Sequence, residues 1–213
     1  MIKSQAMKNA EASSWRQARR RSARDVIIAA AWALAREEGL AGWSLRDLAR
    51  RAGISTPTVY AYFDSKNAIY DAMFGEAAAE FADRMAEPFP CEDPRDLLAA
   101  AARRSAQFCL GDLPRYQLLF QRTLPGFEPS PASYAPAVRA LDGLREVLAL
   151  NGITDPRHVD LWTALFTGLV SQQAGNDPGG ERWTRLIEDS TDMFLGHCRP
   201  PAEREPDPSP PRA

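Results

Sequence analysis

Histidine and cysteine are scarce in this chain of 213 residues, with two of the former and three of the latter. Cys91, Cys109 and Cys198 leave an odd number and form no C-x-x-C pair, which argues against a disulfide framework and against zinc held by cysteine pairs. They read as small core or surface residues. The two histidines, His158 and His197, belong to no H-E-x-x-H, and neither a G-x-S-x-G elbow nor a phosphate-cradling glycine loop occurs. Asp155, His158 and Asp160 fall near a helix start, where three such ligands would not converge on one tetrahedral ion. No enzyme active site, metal centre or cofactor is therefore expected. Long apolar runs are also missing. None approaches the roughly 18 to 20 residues of a membrane-spanning helix, and the polar, basic N-terminus leads into no apolar stretch of the secretory kind. The expected location is the cytoplasm, with no membrane partner. Nor does any segment alternate apolar and polar residues long enough to argue a strand.

What is present is ordinary for a globular protein with a real core: 45% apolar and 25% charged residues. The formal charge of −2 hides an asymmetry, since residues 1–66 hold 12 Lys/Arg against 6 Asp/Glu while the remainder is acidic. A basic first third on an acidic body suggests that only this third meets a polyanion.

Helical periodicity organises most of the chain. Residues 1–21 end in WRQARRR and lack apolar periodicity, so a flexible basic arm is expected there. Ile27, Ala31 and Leu34 recur at i, i+4, i+7, and Gly39 closes that helix. In SLRDLARRAG, Ser44 and Asp47 stand as N-cap and three-residue partner, and Gly53 supplies a positive-φ turn. A further short helix opens at Ser55–Pro57. Two helices of about eight residues joined by a short glycine-containing turn form a helix-turn-helix. A longer helix runs from about Ser65 to Glu87. Others are expected near 93–110, 113–123, 135–151, 155–174 and 179–197, with LPGFEPSPASYAP as a loop. The final RPPAEREPDPSPPRA is too rich in proline to pack. The predicted fold is all-α: arm 1–21, helix-turn-helix domain 22–68, helical-bundle domain 69–198 and tail 199–213.

Tyr60 and Tyr62 mark the second helix of the pair. Projected at about 100° per residue, Val59 and Phe63 share the core face and the tyrosines fall on its two shoulders. The opposite face carries the small residues Pro57, Thr58 and Ala61, which suits close approach to the major groove of DNA.

The stretch SLRDLARRAGISTPTVYAYFDSKNAIY resembles the DNA-binding region of the tetracycline-repressor (TetR) family of bacterial transcription regulators. The resemblance covers roughly Arg24 to Met73, with Ala49, Gly53, Ser55, Tyr60, Phe63 and Lys66 at the family's spacing. LWTALFTGLVSQQAGNDPGGERWTRL is similar to the C-terminal domains of actinobacterial members, although a histidine of one such subgroup is absent around Phe166 and Thr167. The resemblance implies a homodimer that binds a near-palindromic double-stranded operator, represses transcription, and is released by a small molecule held in the C-terminal domain.

Candidate DNA contacts follow from this. Arg46 is the one side chain able to make a bidentate base contact, a simple phosphate contact being its alternative role, with Thr56, Pro57 and Thr58 as weaker readers. Tyr60, Tyr62, Ser44, Ser55 and Lys66 are assigned to phosphate and helix ends. Arg16, Arg19, Arg20 and Arg21 of the arm can enter a flanking minor groove or add plain electrostatic affinity. Phe81, Met85, Phe108, Tyr116, Phe120, Trp162 and Phe166 are candidates to line an apolar effector pocket, each more readily read as ordinary core. Leu161, Leu165, Gly168, Trp183, Ile187 and Phe194 are the candidates for a dimer bundle, each equally readable as intrachain core. A small apolar or aromatic effector suits the uncharged stripes. The competing reading is a sequence-nonspecific, architectural DNA-binding protein without effector control.

Overall fold

A computed structural model describes residues 22–198 of the chain. The arm and tail, and with them Arg16, Arg19, Arg20 and Arg21, lie outside the described residues. All regular structure among the described residues is helical: α1 (22–38), α2 (Leu45–Ala52), α3 (Thr56–Tyr60), α4 (Lys66–Ala86), α5 (Pro94–Gly111), α6 (Leu113–Phe120), α7 (Pro131–Leu150), α8 (Pro156–Asn176), a 3-10 turn (Thr184–Leu186) and α9 (Ile187–Cys198). None of these helices is long and apolar enough to cross a membrane.

Contacts divide the chain into two compact units. One runs up to Glu80 and adds Asp112–Ala137; the other takes Phe81–Gly111 and the residues from Val138 onward. Helix α4 passes unbroken through residues 68 and 69, the domain boundary drawn from the sequence.

The first unit is built around α1. Ile27, Ala31 and Leu34 are buried on one stripe and meet Leu48, Val59, Phe63, Ile69 and Met73 from α2, α3, the turn after it and α4. The helix ends are set by the expected local chemistry. Gly39 takes φ 78° and Gly53 φ 69°, conformations that a side chain would strain. Ser44 and Asp47 complete a reciprocal capping box, with Asp47 N donating to Ser44 Oγ at 3.2 Å and Ser44 N donating to Asp47 Oδ2 at 3.0 Å.

The loop before α2 is fastened to α4. The Tyr70 hydroxyl donates to the Leu40 carbonyl at 2.5 Å, and its ring meets Trp43 edge-on at 5.4 Å between centroids. Burial pushes the Tyr70 phenol up to about 12, above the value of about 10 expected in the unfolded chain. The neutral hydroxyl's contribution is therefore whole below about pH 10 and lost as pH rises through about 12. Tyr70→Phe should lower stability at neutral pH by about 1–3 kcal/mol by orphaning the Leu40 carbonyl. It should also flatten the alkaline limb of the stability curve, which denaturant melts of both chains between pH 8 and 12 would check.

Two expectations are corrected by α7 and α9. The proline-rich loop ends earlier than expected, and ASYAP is helical: Ser130 caps α7, accepting from Tyr134 N at its carbonyl (2.9 Å) and from Ser133 N at its hydroxyl (3.3 Å). Pro131 occupies the first helical position, where its missing N–H costs nothing. Pro136 lies inside α7, and it leaves only the carbonyl of solvent-exposed Ala132 without its helical donor. The Asp71 carboxylate accepts from Ser130 N (2.6 Å) and from the hydroxyls of Ser130 (3.0 Å) and Ser133 (2.9 Å). The last helix starts later than 179. Gln173, 1% exposed, accepts from Trp183 N at 2.8 Å and donates to Asp177 Oδ2 at 3.1 Å, holding residues 177–183 as an irregular loop.

In the second unit α5 packs against both α8 and α9, which also touch each other. Leu98, Ala102, Phe108, Trp162, Val170, Ile187 and Phe194 are buried there, with Trp162 and Phe194 at 5.0 Å between ring centroids. Arg95 straps α5 to α9 through both Asp192 oxygens (2.8 and 2.9 Å) and Glu188 (2.6 Å). The chain's two histidines, 39 positions apart in sequence, are brought to 6.3 Å between ring centroids at the start of α8 and the end of α9.

Candidate nucleic-acid interface

The recognition element is shorter than the helical projection assumed. Helix α3 stops at Tyr60, and the chain then turns, with Tyr62 N and Phe63 N both donating to the Val59 carbonyl at 3.0 Å. Val59 and Phe63 are the core anchors, 0% and 2% exposed. The tyrosines consequently part company. Tyr60 is 52% exposed, whereas Tyr62 is half-buried against the core of the first unit, so it does not mirror Tyr60 on an opposite shoulder.

Arg46 on α2 is exposed and makes no hydrogen bond or ion pair among the described residues. Its neighbours are already engaged: Arg50 with Asp47 at 2.7 Å and Arg51 with Glu37 at 2.8 Å. Pro57 is exposed and Thr56 half-buried in the first turn of α3. Ser55 caps that turn, accepting from Thr58 N at 3.2 Å, and its hydroxyl lies 2.7 Å from that of Thr58. The Ser44 hydroxyl donates to Asp47 Oδ2 at 2.5 Å, and this bond is the leading reason that the Asp47 carboxyl is held below its usual range. Ser44, Ser55 and Thr58 thus spend their hydroxyls on helix ends.

Lys66 differs most from its expected geometry. It opens α4, but its ammonium is turned toward the loop before α2, donating to Trp43 O at 2.5 Å and Ala41 O at 3.4 Å and lying 4.2 Å from the centre of the Trp43 ring. Burial lowers its pKa. The N-terminus of α4 is served instead by Ser65, whose hydroxyl accepts from Ala68 N at 3.1 Å. Arg24, Trp43 and Tyr70 escaped the sequence reading, because a lone arginine or aromatic at no motif spacing gives no signal until the fold brings its partner near.

The pocket candidates separate. Phe81, Met85, Phe108, Trp162 and Phe166 belong to the second unit, Tyr116 and Phe120 to the first. Phe81 and Phe108 pack on each other at 5.1 Å, Met85 Sδ accepts from the Ser105 hydroxyl at 3.3 Å, and Tyr116 is buried while Phe120 is 39% exposed. Trp162 and Phe166 line a shallow apolar recess with Ala102, Leu165, Leu169, Ile187 and Ser190.

The dimer candidates separate as well. Ile187 and Phe194 are 3% and 2% exposed within the chain itself: they are intrachain core, because the stripe they form faces α5 and α8. Leu161 (43% exposed) and Gly168 are outside, with Leu165 and Trp183 half-buried. A side chain at Gly168 would meet nothing within 4 Å, so no other part of the described chain closes on it. Met193, 62% exposed on α9, was not foreseen.

Residues 27–73 match the family model for bacterial regulatory proteins of the tetR family. The chain is 32% identical over 144 residues to the HTH-type transcriptional repressor DrrR1 of Streptomyces coeruleorubidus, covering 63% of this chain and 46% of that protein. It is 30% identical over 166 residues to the class A tetracycline repressor protein from transposon 1721 of Escherichia coli, covering 74% of this chain and 70% of that protein. The chain thus spans about half the length of the first of these relatives and more of the second. A tetR-family transcriptional regulator from Streptomyces coelicolor shares the fold with a TM-score of 0.64 and 22% identity, over 82% of this chain and 79% of that one. The chain belongs to the TetR family, a family of bacterial transcriptional regulators and not of enzymes.

Proposed function

We propose that the protein is a ligand-responsive transcriptional repressor that binds a palindromic operator as a homodimer. The observation that carries this reading is Arg46. It is an exposed arginine without a partner among the described residues, on the helix preceding a capped recognition turn that offers Pro57 and Tyr60 to solvent. A guanidinium so placed can form the two-point contact to guanine that single-point neighbours cannot. Tyr60 then bonds phosphate and sets register without reading sequence. Lys66 supports the site chiefly by holding the loop that presents Ser44 and Arg46, with a third N–H left for phosphate. Arg19, Arg20 and Arg21 add electrostatic affinity from the arm.

The outer face of α8 and α9 supplies the dimer contact in this reading, through Leu161, Gly168 and Met193, with Leu165 and Trp183 at its edges. A glycine beside two exposed apolar side chains suits close helix packing across a two-fold axis. The effector in this reading is a small apolar or aromatic molecule, in keeping with the apolar recess that Trp162 and Phe166 help to line in the second unit.

Selection of bound sequences from a random double-stranded DNA library, at a stated near-physiological salt concentration, tests the reading. An enriched inverted repeat with half-sites about one helical turn apart is the expected result. Retention without any enriched motif would replace it with architectural binding.

A further inference from the structure

We propose that Arg24 is a positioning residue for the recognition turn, fixing where α3 presents Tyr60. The inference rests on the operator-binding reading above and names a part of its machinery outside the motif itself.

Helix α3 has five residues, too few to be stable without outside support. Its start is capped by Ser55. Its end has no glycine stop: Ala61 remains right-handed at φ −67°, and the chain leaves through Tyr62 to Phe63. The carbonyls of Pro57, Thr58 and Val59 are taken by the N–H groups of Ala61, Tyr62 and Phe63, whereas the Tyr62 carbonyl beyond them accepts from no backbone N–H among the described residues. Arg24, on α1 and 38 positions away in sequence, donates from Nη1 to the Tyr62 carbonyl at 2.7 Å. The same guanidinium lies 4.1 Å from the centre of the Phe63 ring, and that ring is 2% exposed in the core. One planar group therefore ties the exit of α3 to α1 twice, by its edge to a carbonyl and by its face to an aromatic anchor. The positive charge also sits at the negative end of the helix.

The Lys66 contacts repeat the device on the other side of the motif. There too a cation donates to a carbonyl, that of Trp43, and covers an aromatic ring, again Trp43. The two cations hold the segment that carries Arg46 and Tyr60 at both of its borders, Lys66 before α2 and Arg24 after α3. A lysine manages both contacts at position 66, where carbonyl and ring belong to one residue, Trp43; at position 24 they belong to two, Tyr62 and Phe63, and the flat guanidinium meets one with its edge and the other with its face.

The test uses the full chain with Arg24→Met and Arg24→Lys. Two readouts are taken: amide hydrogen exchange over residues 59–64, with α9 as internal reference, and affinity for the selected operator and for random DNA at two salt concentrations. In Arg24→Met, exchange over 59–64 should rise about tenfold with α9 unchanged. The operator-to-random ratio should fall at least about fivefold, with the salt slope kept, because no phosphate contact is lost. Arg24→Lys keeps the charge but not the fork, so it too should leave the salt slope unchanged and should not restore the ratio. Unchanged exchange over 59–64 would overturn the proposal. So would faster exchange with an intact ratio, which would make Arg24 a stabilising contact only, or an intact ratio with the salt slope reduced by about one, which would make it a phosphate contact. If the unaltered chain enriches no inverted repeat, the operator reading fails by that result alone, while the exchange data still decide whether Arg24 holds the turn.

Discussion

Arg46→Ala should lower the ratio of operator to random-sequence affinity by roughly ten- to a hundredfold, since a bidentate base contact discriminates by about 1–3 kcal/mol. Loss on random DNA should be small by comparison. Arg46 stands exposed with no ion pair to break among the described residues, so the substitution should leave the melting temperature close to that of the parent. Tyr60→Phe is its counterpart. It removes one exposed hydroxyl from the end of α3 and should weaken operator and random DNA by similar factors, because a phosphate contact carries no sequence information. Titrations of both variants against both DNAs at one fixed salt concentration separate the roles. Equal losses for Arg46→Ala, or a loss of discrimination confined to Tyr60→Phe, would exchange the two assignments.

The second large effect separates core from interface on a single helix. Phe194 and Met193 are adjacent on α9, yet one is 2% and the other 62% exposed. Phe194→Ala removes a ring packed on Trp162 and should cost about 3–5 kcal/mol, read as a lower denaturant midpoint. Met193→Glu removes little intrachain packing. If the outer face of α8 and α9 joins two copies, it places two like charges in an apolar contact, and the mass measured by sedimentation equilibrium should fall toward one chain while helical content is retained. A variant that keeps the parent's mass and operator affinity would move the interface off this face.

Much of the first unit could be read directly from the chain because its determinants are local. Ser44 and Asp47 three residues apart make a capping box wherever a helix follows, Gly39 and Gly53 mark positive-φ stops, and Val59 and Phe63 find the core by spacing alone. The same rules misplaced the start of α7, since a proline cluster normally argues for a loop. Ser130 before Pro131 is a local cap signal that the proline-rich composition outweighed, and the Asp71 carboxylate, 59 positions away in sequence, holds that cap from a distance no local pattern shows.

The sequence by itself determined that the fold is helical, where most helices begin and end, and that a helix-turn-helix lies in the basic first third. These follow from contacts within four residues or from composition, so no knowledge of distant partners is needed. Only the tertiary structure decided which side chains remain available. It divided Tyr60 from Tyr62 by packing only the latter against the core, turned the Lys66 ammonium toward Trp43, brought Arg24 to the Tyr62 carbonyl, and drew Ile187 and Phe194 into the core while leaving Met193 outside. Each of these depends on residues far apart in the chain, and an apolar stripe is the same pattern whether it meets its own chain or a second copy.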